Sequence, residues 1–173
     1  MPDMLSARSL RSPSSPWWMA LVFSLGTLLL GMVSAGLSFA TAGEHSTAIP
    51  LGALPPVWPP AWVFWAVWIV IYPCWGMATY LVWRRRGEAD VRGALVLYAL
   101  NLLGNLFFLP LSNLTANNPA VLTLLDANGL VGIYALAWLY TRYNRVTLWW
   151  LSPFLVWMPL TTALKMWFWL LNT

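Results

Sequence analysis

The sequence predicts an all-α membrane protein, a bundle of five transmembrane helices with a cytoplasmic N-terminus and a C-terminus on the opposite side. Apolar residues make up 60% of the 173 residues and charged residues 8%, whereas soluble domains average about 45–50% and about 25%. Five apolar segments are each long enough to cross a hydrocarbon core, which needs about 20 residues. The arginines lie in segments that five spans place on one side of the membrane.

In chain order, the predicted spans cover residues 17–40, 61–83, 93–112, 119–140 and 147–171. The third is the shortest and contains two asparagines. The connecting loops are short, so the spans form one transmembrane domain over residues 17–172. The preceding residues, 1–16, are rich in Ser, Pro and Arg and predict a disordered basic tail.

The first span has some features of a secretory signal peptide, since arginines precede it and Ala-Thr-Ala at 40–42 resembles a cleavage site. Its apolar run is, however, about twice the length of a signal h-region. Thr27, Gly31 and Ala35 follow one another at four-residue spacing and form the kind of small-residue face that lets helices approach closely. We therefore interpret this segment as a retained helix.

The distribution of positive charge predicts the orientation. Five spans place the N-terminal tail and the loops 84–92 and 141–146 on one side, and these segments hold all eight arginines: Arg8, Arg11, Arg84, Arg85, Arg86, Arg92, Arg142 and Arg145. The segments 41–60 and 113–118 contain no Lys or Arg. Positive loops stay cytoplasmic, so the N-terminus is predicted inside. Membrane orientation also explains the net charge of +4, and no nucleic-acid partner is predicted.

The residue types that build metal and disulfide sites are scarce. The chain has one cysteine, Cys74, and one histidine, His45, which allow neither an intrachain disulfide nor a CxxC site. We interpret Cys74 as a small core residue and His45 as a loop residue. Motifs for phosphoryl transfer, hydrolysis or zinc binding are missing from the sequence. No obligatory cofactor is predicted.

Two ionisable residues lie within predicted spans, Asp126 and Lys165. Each costs about 2.5–3.5 kcal/mol at the bilayer centre on insertion scales. At 1.5 Å per residue both lie about 10 Å from the arginine-free side, so they share a level. Three interpretations are open: an ion pair that joins the fourth and fifth helices, a polar element of a ligand cavity, or a lysine that extends to the interface alone.

Polar and aromatic residues recur on single faces of several spans. Asn101 and Asn105 lie one turn apart, and the fifth span repeats Trp157, Thr161 and Lys165 at four-residue steps. Such faces are typical of a mostly apolar ligand cavity with a few hydrogen-bonding groups. The predicted ligand-binding residues are Trp58, Trp62, Trp65, Trp68, Asn101, Asn105, Asp126, Trp157, Thr161 and Lys165; no catalytic or metal-binding residue is predicted.

Three sequence blocks resemble the TspO/MBR family, which comprises the bacterial tryptophan-rich sensory proteins and the mitochondrial translocator protein. The first block is similar to the family's Pro-Pro-x-Trp-Val-Phe-x-x-Val-Trp signature, and the others lie in the third and fifth spans. The matching residues are Pro59, Pro60, Trp62, Val63, Phe64, Val67 and Trp68, then Leu97, Tyr98, Asn101, Leu102, Asn105, Phe108 and Pro110, and finally Pro153, Phe154, Trp157 and Asn172.

The chain also departs from the family pattern at places that line the family's pocket. Val57 stands where a Trp is frequent, with Trp58 one residue later, and Asn101 and Phe108 replace a Gln and a Trp. Lys165 stands where the family often has Asn. A lysine there favours an anionic group such as a tetrapyrrole propionate, or is neutralised by Asp126.

The resemblance implies a five-helix bundle in a lipid bilayer, able to form a homodimer, with a hydrophobic small molecule as its partner. Porphyrin or haem is then a ligand rather than a required cofactor. Binding, as a receptor or sensor, is the favoured function because the sequence has no acid–base constellation. Light-dependent porphyrin breakdown and transport of tetrapyrroles or lipid-like molecules are the alternatives. A bacterial inner membrane is the default location, and a mitochondrial outer membrane applies if the source is eukaryotic.

Overall fold

The computed structural model describes residues 16–42, 52–115 and 118–173, and these contain five long helices and no strand. The helices are α1 (Trp18–Ala42), α2 (Ala61–Trp83), α3 (Arg92–Leu114), α4 (Pro119–Thr141) and α5 (Thr147–Leu171), with a 3-10 turn at Arg84–Gly87 after α2. Each bound lies within two residues of the sequence prediction. Of the predicted disordered tail, 1–16, only residue 16 is among the described residues. The loop residue His45 lies outside them.

All five helices are long and apolar enough to cross a membrane, which confirms the predicted fold class. The third span, predicted as the shortest, is 23 residues long, as are α2 and α4. The orientation of the bundle relative to the cell stays a prediction.

Local sequence explains where the helices begin. At the start of α4 the side chain of Asn118 accepts hydrogen bonds from the backbone N–H groups of Ala120 and Val121, at 3.0 and 3.2 Å. Pro119 occupies the first helical position, where a missing N–H costs nothing. Pro60 likewise precedes α2 with an extended backbone, so the prolines of the first loop end directly at a span.

The helices form a closed ring in the order α1, α2, α5, α4, α3. Neighbours in the chain run in opposite directions: α1 meets α2 through Phe23 and Tyr80, whose ring centroids lie 6.1 Å apart. The helix α3 runs parallel to α1, as the hydrogen bond between the hydroxyls of Thr27 and Tyr98 (2.5 Å) and that from Ser34 to the Asn105 carbonyl (3.3 Å) show.

The predicted small-residue face of α1 points into the bundle. Thr27 is 1% exposed and Ala35 is 6% exposed, and Gly31 lies against the ring of Tyr72 on α2. Because these side chains are small, the backbone of α1 approaches α2 and α3 closely. The face therefore serves helix packing, as the four-residue spacing predicted.

The two halves of the bundle are packed differently. In the half nearer the arginine loops, large side chains such as Trp75, Tyr140 and Phe154 are fully buried. They belong to one cluster that joins the end of α2 and α4 to the start of α3 and α5. The other half, toward the 52–60 segment, holds the cavity described below. The filled half thus gives the cavity a rigid floor.

Arginines and aromatic rings meet at the filled end. The guanidinium carbon of Arg86 lies 3.4 Å from the centroid of the Trp83 ring, and that of Arg142 lies 3.9 Å from the centroid of Trp138. Cation–π pairs of this kind suit a membrane–water interface, where the indole is apolar and the guanidinium stays hydrated. Arg8 and Arg11 lie outside the described residues.

Candidate functional site

A cavity of about 1050 Å³ occupies the half of the bundle opposite the arginine loops. Side chains from all five helices line it, together with Trp58 from the segment before α2. Small-molecule sites typically measure about 300–1,000 Å³ and are mostly apolar with a few polar groups. The size and the mostly apolar lining are within the range typical of small-molecule sites.

Aromatic rings from α2 and α5 form one wall of the cavity. The ring of Trp68 lies 5.0 Å from that of Tyr72 and 5.5 Å from that of Phe154, measured between centroids. Nearer the rim, Phe64 meets Trp157 edge-on at 5.5 Å. Edge-to-face and tilted contacts at these distances are favourable and fix the rings relative to one another. The wall is a rigid aromatic surface.

The segment 52–60 covers the rim of the cavity and is attached to the end of α5. The ring of Trp58 lies 5.8 Å from that of Phe168. The amide of Asn172 pairs with the backbone of Ala53, accepting from its N–H at 2.9 Å and donating to its carbonyl at 3.0 Å. Gly52, with φ of +133°, lies against this amide in a conformation that side-chain-bearing residues rarely adopt.

Asp126 on α4 is the centre of the polar part of the cavity wall. Its Oδ2 accepts hydrogen bonds from the hydroxyls of Thr161 and Thr162 on α5, both at 2.8 Å. Its Oδ1 pairs with the ammonium group of Lys165. The Asp126 side chain is 6% exposed, so the carboxylate is buried with three donors around it.

Lys165 is the partner of this carboxylate, and its side chain is 12% exposed. The Nζ atom also lies 4.4 Å from the centroid of the Phe108 ring on α3. The ammonium group is therefore held between an anion and an aromatic face. Of the three interpretations open from the sequence, the structure excludes a lysine that extends alone to the interface.

The asparagines of α3 hydrogen-bond along their own helix. The Asn101 amide donates to the Leu97 carbonyl at 2.9 Å, and the Asn105 amide donates to the Asn101 carbonyl at 3.3 Å. A side-chain hydrogen bond to the carbonyl four residues earlier satisfies one of the two N–H groups of each amide without a partner helix. Both residues line the cavity, and their ligand-binding role stays a prediction.

Nine of the ten residues predicted as ligand-binding line this cavity: Trp58, Trp65, Trp68, Asn101, Asn105, Asp126, Trp157, Thr161 and Lys165. Trp62 does not line it, and its side chain is 70% exposed on the outer face of α2. Side chains three residues apart are separated by about 300° around the helix axis, which is the same as about 60° in the reverse direction. Trp62 thus lies about 120° from Trp68 around the helix.

The sequence prediction missed four aromatic residues that line the cavity, Phe64, Tyr72, Phe107 and Phe108. Phe64 and Tyr72 lie four residues before and after Trp68, and residues four apart share one helix face. Four-residue spacing from Trp68 was therefore the signal that identified the inner face of α2. Phe108 stands three residues after Asn105, on the same side of α3.

The cavity lining includes side chains that are exposed on the outer surface of the bundle. They include Leu103 and Phe107 of α3 and Val131 of α4, which are 49%, 48% and 69% exposed. Leu and Val side chains at such a surface are compatible with lipid chains.

Within residues 16–42, 52–115 and 118–173, no three His, Cys, Asp or Glu side chains lie close enough together to hold a metal ion. Asp126 and Lys165 are the charged residues among those that line the cavity. The described part of the site thus offers aromatic contact, hydrogen bonding and one ion pair as its chemistry.

Comparison with known proteins was consistent with this architecture. The model of the TspO/MBR family matches residues 45–170. Translocator protein 2 of Mus musculus is 36% identical over 118 residues, which are 66% of this chain and 72% of that protein. Translocator protein of Bos taurus is 29% identical over 157 residues, or 88% of this chain and 90% of that protein. The human translocator protein is 28% identical over 160 residues, with 89% and 90% covered.

Proposed function

The chain belongs to the TspO/MBR family, and from this premise we propose that it is an integral membrane receptor or sensor that binds a planar apolar ligand, a tetrapyrrole, inside its helix bundle. One observation carries this proposal: a cavity of about 1050 Å³ with an aromatic wall and a few polar groups, Asn101 and Asn105 on α3 and the Asp126–Lys165 pair between α4 and α5. Flat aromatic ligands bind to such walls by stacking on the rings and by apolar contact.

The distribution of polar groups supports a ligand with a large apolar face. The wall formed by Phe64, Trp68 and Trp157 offers ring faces and edges, while Asp126 and Lys165 lie on the α4–α5 side. A tetrapyrrole has a flat macrocycle that suits the first surface and peripheral polar groups that suit the second. We expect the ligand to enter from the bilayer, because the cavity lining includes side chains exposed on the outer surface of the bundle, Leu103 and Val131 among them.

The test is a titration of the purified protein with protoporphyrin IX, followed by quenching of tryptophan fluorescence. Saturable quenching at micromolar concentration is expected for the wild type. The Trp68→Phe variant replaces an indole of the cavity wall with the smaller phenyl ring, while Trp62→Phe makes the same change on the outer face of the same helix. Weaker binding is expected for Trp68→Phe, by up to about 1.5 kcal/mol, because the phenyl ring offers the ligand less aromatic contact than the indole.

The matched Trp62→Phe variant should bind protoporphyrin as the wild type does, because its indole is 70% exposed outside the cavity. An absence of saturable quenching in the wild type would remove the proposal. An equal loss in both variants would place the ligand on the surface of the protein rather than in the cavity.

A second candidate function, light-dependent porphyrin breakdown, is favoured by a continuous row of aromatic rings that leads away from the cavity. Trp68 contacts Phe154 at 5.5 Å, Phe154 contacts Trp75 at 5.0 Å, and Trp75 contacts Tyr98 at 5.3 Å. Indole and phenol side chains are oxidisable, so Trp68 is the candidate electron donor to a porphyrin excited by light. Faster bleaching of illuminated porphyrin by the wild type than by Trp68→Phe is expected; equal bleaching leaves binding alone.

We also propose a bacterial inner membrane as the location and a homodimer as the working form. Large apolar side chains are exposed on the outer face of every helix, Trp149 (80%) and Leu29 (65%) among them, and such surfaces require lipid or another apolar partner. Membrane fractionation tests the location, and chemical cross-linking in native membranes tests the dimer.

A further inference from the structure

The charged residues of the cavity cancel each other. Among the residues that line it, Asp126 and Lys165 are the ones that carry charge, and they form a direct ion pair. Lys165 is also the single lysine of the chain, since the other eight basic residues are arginines. A ligand in the cavity therefore meets a polar wall that is hydrogen-bonded but has no net charge.

The ammonium group of Lys165 is already engaged, so it interacts only weakly with an anionic ligand. It is paired with Asp126 and lies over the Phe108 ring, 4.4 Å from its centroid. Its side chain is 12% exposed. A carboxylate on a ligand gains a strong interaction with lysine when the cation is otherwise unpaired, and here it would first compete with a carboxylate that is already in place.

Asp126 is also held so that it does not move aside. The hydroxyls of Thr161 and Thr162 both donate to its Oδ2 at 2.8 Å, while Oδ1 contacts Lys165. All three donors belong to one stretch of α5, so they act as a preformed site for this carboxylate. Displacing Asp126 would leave a buried anion without its partner, which is strongly unfavourable.

A ligand carboxylate near the pair would also meet Asp126 itself. Two carboxylates in one site repel each other, and one of them must be neutralised. An ester, an amide or a plain hydrocarbon edge has no such conflict. The wall formed by α4 and α5 therefore discriminates against negative charge at this level of the bundle, although it contains a lysine.

On the basis of the function proposed above, we infer that the Asp126–Lys165 pair makes the cavity selective for uncharged ligands. A planar molecule whose carboxyl groups are esterified or absent binds in preference to the same molecule as a free carboxylate. Lys165 then influences specificity indirectly, because it holds the Asp126 carboxylate in the wall. An anionic group of a bound ligand would lie at the rim of the cavity or in the bilayer interface.

The experiment compares protoporphyrin IX with its dimethyl ester, two ligands with the same macrocycle and different charge. Dissociation constants are measured for the wild type, Asp126→Asn, and the double variant Asp126→Asn with Lys165→Met, in one detergent. For each variant, the dissociation constant of protoporphyrin IX is divided by that of the dimethyl ester, and this acid-to-ester ratio is compared between variants. Because partition of the two ligands into micelles is the same for every variant, it cancels when ratios are compared.

The wild type is expected to bind the ester more tightly than the acid, and the double variant, which lacks the Asp126 carboxylate that repels the acid, should show a smaller preference for the ester. Asp126→Asn leaves the ammonium group of Lys165 unpaired. This variant should lower the acid-to-ester ratio by about tenfold or more, because the free carboxylate then gains one hydrogen bond to a charged group. Thr162→Val is the matched control, since it removes one donor to Asp126 and keeps the ion pair. Its ratio should remain that of the wild type.

Tighter binding of the acid by the wild type, together with loss of that preference in the double variant, would overturn the inference and leave the proposed function intact. Failure of both ligands to bind the wild type would overturn the proposed function, and the inference with it. If Asp126→Asn does not fold, the double variant still decides the question, because it removes both members of the pair: an acid-to-ester ratio equal to that of the wild type would show that the pair does not set the selectivity.

Discussion

Asp126 and Lys165 are a charged pair that lies between two helices in the membrane-spanning part of the chain. Removing one member leaves the other buried without a counter-ion, at a cost of about 3–5 kcal/mol for buried pairs. Lys165→Met should therefore lower the stability by this order, and the double variant with Asp126→Asn should regain most of it. Thermal unfolding in detergent measures both.

The matched control is Arg85→Met, which breaks an ion pair with Glu88 whose side chains are 46% and 47% exposed. Exposed pairs contribute about 0–1 kcal/mol, so this variant should unfold close to the wild type. A double variant no more stable than Lys165→Met would contradict the assignment of a stabilising pair between α4 and α5.

The sequence predicted that these two residues share a level, because rise per residue converts position into depth. It did not identify Thr162 or Phe108 as their neighbours, because contacts between helices depend on how each helix is rotated in the bundle. Trp62 lies outside the cavity lining for a related reason: three-residue spacing drifts around a helix, and four-residue spacing from Trp68 follows the inner face more closely.

At the scale of the element, α1 and α2 meet at Gly76. A methyl group there would collide with the backbone carbonyl of Phe23, which cannot turn away as a side chain could. Gly76→Ala should destabilise the protein by about 1–3 kcal/mol, as overpacking does. Thermal unfolding in detergent again provides the measurement.

Gly26→Ala in α1 is the matched substitution, because nothing lies within 4 Å of the added methyl group. Alanine is the better helix former by about 0.5–1 kcal/mol, so this variant should be as stable as the wild type or slightly more stable. Equal destabilisation by the two substitutions would show that the close approach at Gly76 is not what limits packing.

The rim segment and the end of α5 form the second element-scale feature. Asn172→Ala removes both hydrogen bonds to the backbone of Ala53, so the Ala53 amide should exchange its hydrogen faster. Hydrogen–deuterium exchange measures this directly. Thr173→Ala is the control, since the Thr173 hydroxyl donates to the Leu170 carbonyl at 3.4 Å. Unchanged exchange at Ala53 in Asn172→Ala would contradict the attachment.

At the scale of the whole molecule, the arginines that the structure describes lie at the filled end, in the two loops there and at the start of α3. The positive-inside rule predicts that this end is cytoplasmic. In a Cys74→Ala background, Thr173→Cys should react with a membrane-impermeant thiol reagent on intact cells, while Arg145→Cys should react only after lysis. The reverse pattern would invert the topology.

The number of helices and their approximate bounds followed from the sequence because hydrophobic length alone decides which segments span a bilayer. The division of the bundle into a filled half and a hollow half did not. It arises because Trp75, Tyr140 and Phe154 meet from three helices, and such meetings depend on interhelical packing rather than on any local pattern.

The central claim is that the cavity holds a planar apolar ligand, and a crystal structure of the protein with protoporphyrin dimethyl ester tests it most directly. We expect the macrocycle to lie against the wall formed by Phe64, Trp68 and Trp157, with the Asp126–Lys165 pair intact. A macrocycle bound only on the outer surface, against Trp62 or Trp149, with the cavity lacking ligand, would contradict the claim.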